Sequence, residues 1–235
     1  MALDVYVGSL TRYYSGDWES VSDRTSRGRK AKAEADQLRR AGVSKKEYEP
    51  IHASVLAWRR TLDGALAPHL AEPLSWNETP EAPWFADRVG WDGFGSLVLW
   101  AAYTEQPTLS RPASLPKEWD EDAALMRSNA EGFRSRYSHL VRNVELWLPT
   151  TLDFTVEGED VDGRRIVIGS STVLRRQLGE LNAATWKMDG DEMAAAIRER
   201  PSGGSLEDAA RHALAMMSRL VQEAVENRLP MKLDY

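Results

Sequence analysis

The chain has 235 residues, a formal net charge of −6 and no cysteine. This length can bury a full hydrophobic core, and we expect one domain. The absence of cysteine excludes disulfides, thiol catalysis, iron–sulfur clusters and cysteine-bound zinc. No run of about 18 apolar residues is present, and the first residues lack the basic and apolar regions of a signal peptide, so we expect neither a membrane span nor export.

The basic residues are 23 arginines and 7 lysines, a ratio typical of GC-rich genomes. We therefore expect a bacterial protein, located in the cytoplasm. Nine tryptophans are present, and most are expected to pack in the core.

Residues 3 to 7 alternate apolar and polar side chains, which predicts a short β-strand with one buried face. Gly8 and Ser9 end this pattern, and a loop is expected to follow, a position where binding residues are common. The loop offers four candidates for ligand binding, Arg12, Tyr13, Tyr14 and Trp18. Its two acids, Asp17 and Glu19, are weak candidates for a general acid and base, because acids at this spacing are common.

Residues 24 to 46 hold nine Arg or Lys and only two acids, a local charge of +7 that leaves −13 on the rest of the chain. The middle of this basic block, from Arg24 to Lys46, is predicted to form an exposed helix. It is either a solvated surface or a contact surface for an acidic protein or nucleic acid. We favour the solvated surface, because the acidic remainder repels a polyanion, and we do not expect a nucleic acid partner.

Apolar residues at helical spacing predict a core-facing helix from about 50 to 67, beginning at Pro50 after a separate turn at 44 to 48. Residues 68 to 95 contain four prolines and three tryptophans and are expected to be irregular but ordered. Trp91 in this segment is a candidate aromatic wall for a ligand or partner.

Two further helices are expected, a short buried one at 96 to 104 and a long one at 119 to 144. The long helix is predicted from an apolar seam with steps of four and three residues. Such a seam fits either a central packed helix, which we favour, or a homodimer through a coiled coil. The seam consists of Trp119, Ala123, Met126, Ala130, Phe133, Tyr137, Leu140 and Val144.

After this helix, residues 144 to 149 are expected to be extended, and strands at 152 to 156 and 164 to 168 form a predicted hairpin. The acids between these strands fit turn chemistry better than a calcium loop. The turn Gly169 to Thr172 then leads into a helix. It offers a second group of candidate ligand-binding residues, namely Ser170, Ser171, Thr172 and Arg175.

The turn can hold an anion through backbone N–H groups at the helix start, but an ordinary helix cap is the favoured interpretation of its serines. Asp189 to Glu192 is expected to begin another helix, and Ser205 with Asp208 is expected to cap the last one. Leu229 to Tyr235 is predicted to be a short tail.

The sequence contains no complete catalytic motif. The four histidines are widely separated, and no serine hydrolase, P-loop or dinucleotide-binding pattern is present. We therefore expect no metal and no cofactor, and we lean towards a protein that is not an enzyme.

Three segments resemble a family of uncharacterised bacterial proteins. They are LDVYVGSLTRYYSGDWE at residues 3 to 19, LWLP at 146 to 149, and IGSSTVLRRQLGELNAATW at 168 to 186. The resemblance carries no catalytic residues. It implies a shared architecture that brings the N-terminal loop close to the turn at Gly169 to Thr172.

The expected fold is α+β, with helices predominating and covering a small sheet built from the N-terminal strand and the hairpin near 152 to 168. The expected function is a binding or protein-interaction module that regulates or neutralises another protein. The alternative is an enzyme acting on a phosphate- or carboxylate-bearing small molecule. In that case Arg12, Arg175 and the Gly169 to Thr172 turn hold the anion, and Asp17 or Glu19 moves protons.

Overall fold

The protein is represented by a computed structural model that describes residues 3–21, 45–199, 201 and 203–235. Apart from the backbone at Lys45 and Lys46, the predicted basic helix lies outside the described residues. Short 3₁₀ turns occur at Ala67–His69 and Trp119–Glu121. The α-helices in the described residues are α1 Leu10–Ser15, α2 Lys45–Leu66, α3 Trp91–Glu105, α4 Ala123–Ser128, α5 Ser138–Val141, α6 Ser171–Ala184, α7 Gly190–Arg198 and α8 Leu206–Glu226.

Six described strands form one mixed sheet in the order β2-β1-β6-β3-β5-β4. Only β3 and β5 run parallel to each other, and the remaining neighbours are antiparallel. The sheet is open, with β2 and β4 at its edges. The strands are β1 Asp4–Val7, β2 Phe85–Arg88, β3 Val144–Leu148, β4 Val156–Glu159, β5 Arg165–Ser170 and β6 Met231–Asp234.

The expected α+β fold is confirmed, with helices predominating and with β1 in the same sheet as the hairpin β4–β5. The expectation of one buried face on β1 is wrong, because all four of its residues are buried. Helices cover both faces of the sheet, so Asp4 and Tyr6 lie inside as well as Val5 and Val7.

One helical layer consists mainly of α3, α6 and α8, whose apolar residues share a core with Val5, Val7 and Trp147. The opposite layer contains α1 and α2, which pack through Leu10 and Val55 on the other face of β3 and β5. Successive side chains of these strands point to opposite faces of the sheet, so they pack into two separate apolar clusters.

The predicted tail is wrong, because Met231–Asp234 forms a central strand between β1 and β3. The strand could not be recognised in the sequence because a lysine is not expected in a buried strand. In the structure the side chain of this residue, Lys232, is only 1% exposed. The first hairpin strand also differs from the prediction. It begins at Val156, whereas Leu152 is buried beneath an irregular connection.

The predicted helix at 119 to 144 is wrong. The chain forms a 3₁₀ turn, the short helices α4 and α5 and an intervening loop, in which Gly132 has a φ of 80°. Leu140 and Val144 of the apolar seam are buried in the core, whereas Met126 is 60% exposed. The helix that suggested a homodimer is thus not present, because tertiary packing places its apolar residues in different elements.

Pro50 does not begin α2, because the helix is described from Lys45 and the proline lies inside it. Pro50 removes one backbone hydrogen bond near the exposed start of the helix. Burial of Val55 and Leu66 further along offsets that loss. The helices predicted near 96 to 104, after Thr172, after Asp189 and after Ser205 are confirmed as α3, α6, α7 and α8.

None of the helices in the described ranges combines the length and apolar character that crossing a lipid bilayer requires.

Candidate functional site

The segment expected to be an N-terminal loop is largely the short helix α1. Ser9 caps it by accepting a hydrogen bond from the Arg12 backbone N–H at 3.2 Å. Gly16 ends it in the left-handed conformation with a φ of 69°. Tyr13 and Tyr14 therefore project from a helix that is fixed at both ends.

The carboxylate of Glu78 holds the start of α1. Its Oε1 accepts from the Leu10 N–H at 3.0 Å and from the Trp76 indole N–H, and its Oε2 accepts from the Thr11 N–H at 2.8 Å. The Thr11 hydroxyl donates to the same Oε2 at 2.7 Å. Glu78 is 5% exposed, so a buried charge is satisfied by several donors, including two at a helix N-terminus.

Arg12 and Trp18 are also engaged in internal contacts. The Arg12 guanidinium donates to the carbonyls of Pro80 and Ala82 and lies 3.6 Å from Asp17. The Trp18 ring lies 4.9 Å from the Tyr6 ring, centre to centre. Arg12 therefore ties α1 to the 80–82 segment, and Trp18 packs on β1. Glu19 nearby is half-buried.

Tyr13 and Tyr14 line a small cavity of about 240 Å³ together with Lys232 and Arg164. The Lys232 ammonium lies 3.5 Å from the Asp160 carboxylate, and burial lowers the pKa of Lys232. The Tyr13 hydroxyl donates to Asp234 at 2.9 Å, and burial raises the pKa of both tyrosines. A buried ion pair is therefore located beneath α1.

The Asp160 carboxylate also organises the hairpin turn. Its Oδ1 accepts from the backbone N–H groups of Asp162 at 3.1 Å and Arg164 at 3.0 Å. This geometry is that of turn chemistry, as expected from the sequence.

The second predicted ligand-binding segment is used mainly for helix capping. Ser170 accepts from the Val173 N–H at 3.1 Å, which confirms the cap, and its own N–H donates to Nδ1 of His139 at 2.9 Å. The Ser171 hydroxyl donates to the Leu148 carbonyl at 3.1 Å. The Ser170 N–H is consequently unavailable to an anion.

Thr172 and Arg175 line a cavity of about 380 Å³ that includes Asp153 and Arg176. This cavity includes no residue of α1, whereas Tyr13 and Tyr14 line the separate cavity around Lys232. Trp91 lies in a third place, at the first turn of α3. The structure therefore does not bring the candidates from the sequence together in one cavity.

Two other segments of the chain contain acids but no lysine or arginine. Residues 61–77 contain two acids and residues 145–163 contain six, and neither segment has a Lys or Arg. The segments are adjacent, because the His69 and Phe154 rings lie 5.0 Å apart and both segments contribute to one apolar cluster. We call residues 61–77 and 145–163 together the acidic face.

Three exposed carboxylates of the acidic face, on Glu72, Glu159 and Asp162, form no salt bridge with any residue in the described part of the chain. The arginines at its border have partners, since Arg164 pairs with Glu145 at 2.8 Å and Arg165 pairs with Glu157. The acidic face therefore presents negative charge that is only partly neutralised.

The acidic face also carries an exposed aromatic side chain. Phe154 is 38% exposed, one of few large apolar side chains at the surface of the described residues. An aromatic group surrounded by charged residues is typical of a protein-binding surface.

A family model described as "Putative DNA-mimic protein" matches residues 1–232. The chain belongs to this family. No curated protein and no solved structure matches the chain. The match to the DNA-mimic family extends far beyond the three segments that resemble an uncharacterised family.

In a DNA-mimic family, exposed acidic residues are candidates for the contact surface. From the sequence, the acids of the hairpin were interpreted only as turn residues. The available signal was the distribution of basic residues, because the stretch from Glu145 to Gly163 has six acids before the first arginine. Its adjacency to residues 61–77 depends on tertiary contacts and has no signal in the sequence.

Proposed function

We propose that this protein is an interaction module that binds a DNA-binding protein in place of DNA. The observation that carries the proposal is the family match over residues 1–232. The acidic face supports it, because exposed carboxylates can accept the hydrogen bonds that arginines and lysines otherwise donate to DNA phosphates.

The acidic face is the proposed contact surface. Glu72, Glu159 and Asp162 carry negative charge without a partner in a described salt bridge, so a basic partner does not have to break existing ion pairs there. Charges of this kind accelerate association and make it sensitive to salt.

Phe154 is the proposed apolar anchor within this surface. Its ring is partly exposed and contacts the His69 ring edge-on, so a partner can cover the Phe154 ring without unfolding residues 145–163. Burial of an aromatic side chain supplies binding energy that charge pairs at an exposed surface do not.

DNA itself is not the proposed ligand. Outside residues 24 to 46 the chain has a net charge of −13, and the acidic face repels a second polyanion. The proposed role is to occupy or neutralise the DNA site of the partner, and we propose that this takes place in the cytoplasm of a bacterial cell.

The test is retention of proteins from a nuclease-treated extract of the source cells on the immobilised chain, followed by elution with double-stranded DNA. We expect DNA-binding proteins to be retained and then displaced by the DNA. The chain alone is expected not to shift the DNA in a gel. Retained proteins that DNA does not displace, or direct binding of DNA by the chain, would contradict the proposal.

A further inference from the structure

The hairpin strand β4 lies within the acidic face and is an edge strand of the sheet. It pairs with β5 in an antiparallel register that places Glu157 opposite Val167 and Glu159 opposite Arg165. In an antiparallel pair, every second residue exchanges backbone hydrogen bonds with the neighbouring strand. The residues between them direct their N–H and C=O groups to the other side. One side of β4 therefore carries backbone groups that β5 does not use.

Two contacts show which residues of β4 direct their backbone outward. The Asp160 N–H donates to the Arg164 carbonyl at 2.8 Å, so Asp160 is a hydrogen-bonded position and Glu159 is not. The indole N–H of Trp58, from α2, donates to the Glu159 carbonyl at 2.7 Å, which agrees with a carbonyl that points away from β5. Because the pattern has a period of two, the outward backbone groups belong to Glu157 and Glu159.

Three of these outward groups have no partner among the described residues. They are the N–H and C=O of Glu157 and the N–H of Glu159, whereas Trp58 occupies the Glu159 carbonyl. Water solvates such groups in the free chain, and another extended segment can replace this water by pairing along the edge. The edge of β4 thus offers an added strand three backbone hydrogen bonds.

The opposite edge strand of the sheet, β2, differs from β4. Ala86 and Arg88 of β2 take part in further interactions, and Asp87 between them pairs with Arg219. We therefore consider β4, and not β2, as the edge for an added strand.

The side chains of β4 determine which segment fits its edge. Glu157 and Glu159 are two residues apart, so both point to the same face of the sheet, and both are exposed. Glu157 pairs with Arg165 in an exposed contact that contributes little, and the Glu159 carboxylate has no salt bridge in the described part of the chain. Arg or Lys at alternate positions of an added strand would lie beside these two carboxylates.

A second copy of the chain does not fit this edge. Pairing of β4 with β4 of another molecule would place Glu157 and Glu159 beside the same glutamates, and like charges on neighbouring strands are destabilising. Charged residues on edge strands commonly protect proteins from such self-association. Charge complementarity therefore favours a different, basic chain as the occupant.

We propose that the DNA-binding partner contributes an extended basic segment that pairs with β4 as an additional strand. This proposal rests on the proposed function, since it describes how the partner contacts the acidic face. The backbone groups of Glu157 and Glu159 fix the register of the segment. The two glutamate side chains select Arg or Lys at alternate positions.

The test uses a short synthetic peptide with alternating arginine and threonine, blocked at both ends and carrying a fluorophore. A second peptide has the same side chains but methylated backbone nitrogens, so it keeps the charge and cannot pair as a strand. Fluorescence anisotropy measures the affinity of each peptide for the full chain. We expect the unmodified peptide to bind at least about tenfold more tightly, because only this peptide forms the backbone hydrogen bonds.

Glu157→Pro and Glu157→Gln provide a matched pair of variants. Both lose the carboxylate, but only proline removes the outward N–H, and an edge position tolerates proline because that N–H is not bonded to β5. We expect Glu157→Pro to bind the unmodified peptide about tenfold more weakly than Glu157→Gln. Equal affinity of the two variants would overturn the proposal.

Amide hydrogen exchange of the wild type, followed by NMR, gives a measurement that needs no variant. The amides of Glu157 and Glu159 should exchange quickly in the free chain and at least about tenfold more slowly with saturating unmodified peptide. The amide of Gly158 between them is directed to β5 and should exchange slowly in both states. Unchanged exchange at Glu157 and Glu159, or equal affinity of the two peptides, would overturn the proposal.

The remaining outcomes separate this proposal from the proposed function. A dimer of the chain alone that Glu157→Pro dissociates would overturn the added basic strand, because a second copy would then occupy the edge. Failure of the peptide to pair with β4, together with retained proteins that DNA displaces, would reject only the added strand and leave DNA mimicry standing. Absence of proteins that DNA displaces would reject DNA mimicry itself.

Discussion

The N-terminal helix α1 and the acidic face both concentrate polar and charged side chains, but they use them in opposite ways. At α1, Arg12 donates to two carbonyls, and the buried Glu78 carboxylate accepts from two backbone N–H groups. On the acidic face, Glu72 and Asp162 are exposed and have no salt bridge among the described residues. The first region holds the fold together, and the second has charge available for a partner.

This difference shows why residue type alone does not identify a functional surface. Arg, Tyr, Trp and Asp in one short segment suggest ligand binding, yet here Arg12 and Tyr13 direct their hydrogen bonds to the protein itself. Polar groups that are already satisfied contribute stability, whereas exposed charges contribute little to stability and can contribute to binding. Stability and binding measurements therefore distinguish the two regions.

The largest effect on stability is expected from Glu78→Ala. The substitution leaves the Leu10 N–H, the Thr11 N–H and the Trp76 indole without their acceptor. We expect a loss of about 3–5 kcal/mol in the free energy of unfolding, measured by urea denaturation. Glu78→Gln keeps one acceptor oxygen and should lose less.

Glu81→Ala is the control for this prediction, because Glu81 is exposed three residues further along. Its effect should stay within about 0.5 kcal/mol. If Glu78→Ala is as mild as Glu81→Ala, the carboxylate does not hold α1 and the contrast between the two regions disappears.

A second test concerns the buried ion pair beneath α1. Lys232→Met removes the ammonium from the buried Asp160 carboxylate, which keeps only Arg164 at 3.8 Å, and a loss of about 2–4 kcal/mol is expected. In the double variant with Asp160→Asn no net charge remains, so part of this loss should be recovered. Urea denaturation of the wild type, the two single variants and the double variant gives the coupling free energy between Lys232 and Asp160. Strictly additive effects would show that the pair does not interact.

A third test uses pH and extends the comparison to His139, which is fully buried. Burial lowers its pKa from 6.5 to about 4, so the unfolded chain takes up a proton between these pH values and the folded chain does not. The free energy of unfolding should therefore fall by about 3 kcal/mol as the pH decreases through this window.

His139→Gln separates this effect from the titration of carboxylates. The difference in stability between the wild type and the variant should change with pH between 6.5 and 4, and it should be constant above pH 7.5. Parallel pH profiles for the two proteins would exclude His139 as a source of acid sensitivity.

The smallest effect on stability is expected on the acidic face. The triple variant Glu72→Gln, Glu159→Gln and Asp162→Asn should unfold within about 1 kcal/mol of the wild type, because exposed charges contribute little. Urea denaturation at low salt measures this difference. A loss comparable to that of Glu78→Ala would mean that these carboxylates are structural and would make the two regions alike.

The sequence was sufficient to predict elements whose signals are local. The strand at residues 3 to 7, the cap at Ser170 and the cap at Ser205 each involve residues within a few positions of one another, and all three were confirmed, although the expected single buried face of the strand was not. Helix caps and strand patterns are determined by near neighbours.

Features that depend on distant contacts could not be predicted. Glu78 accepts a hydrogen bond from Thr11, which lies 67 positions away in the chain. Strand β6 forms by pairing with β1 and β3, and both are distant in sequence. The apolar seam from 119 to 144 had helical periodicity, but its residues lie in a turn, two short helices, the loop between them and a strand. The acidic face was equally hidden, because its two segments are joined by tertiary packing between His69 and Phe154.

The most direct test of the account is the affinity of a purified DNA-binding partner, identified by retention and DNA elution, for three versions of the chain. These are the wild type, the triple variant of the acidic face, and a control with the same charge change elsewhere. The control is Glu118→Gln, Asp120→Asn and Glu131→Gln, all exposed residues outside the acidic face.

We predict that the triple variant binds at least about tenfold more weakly than the wild type and shows a smaller dependence on salt, because three charge contacts are lost. The control variant should bind like the wild type, and double-stranded DNA should compete with both. Equal affinity of the wild type and the triple variant, or a loss of affinity in the control alone, would contradict the assignment of the acidic face as the DNA-mimicking surface.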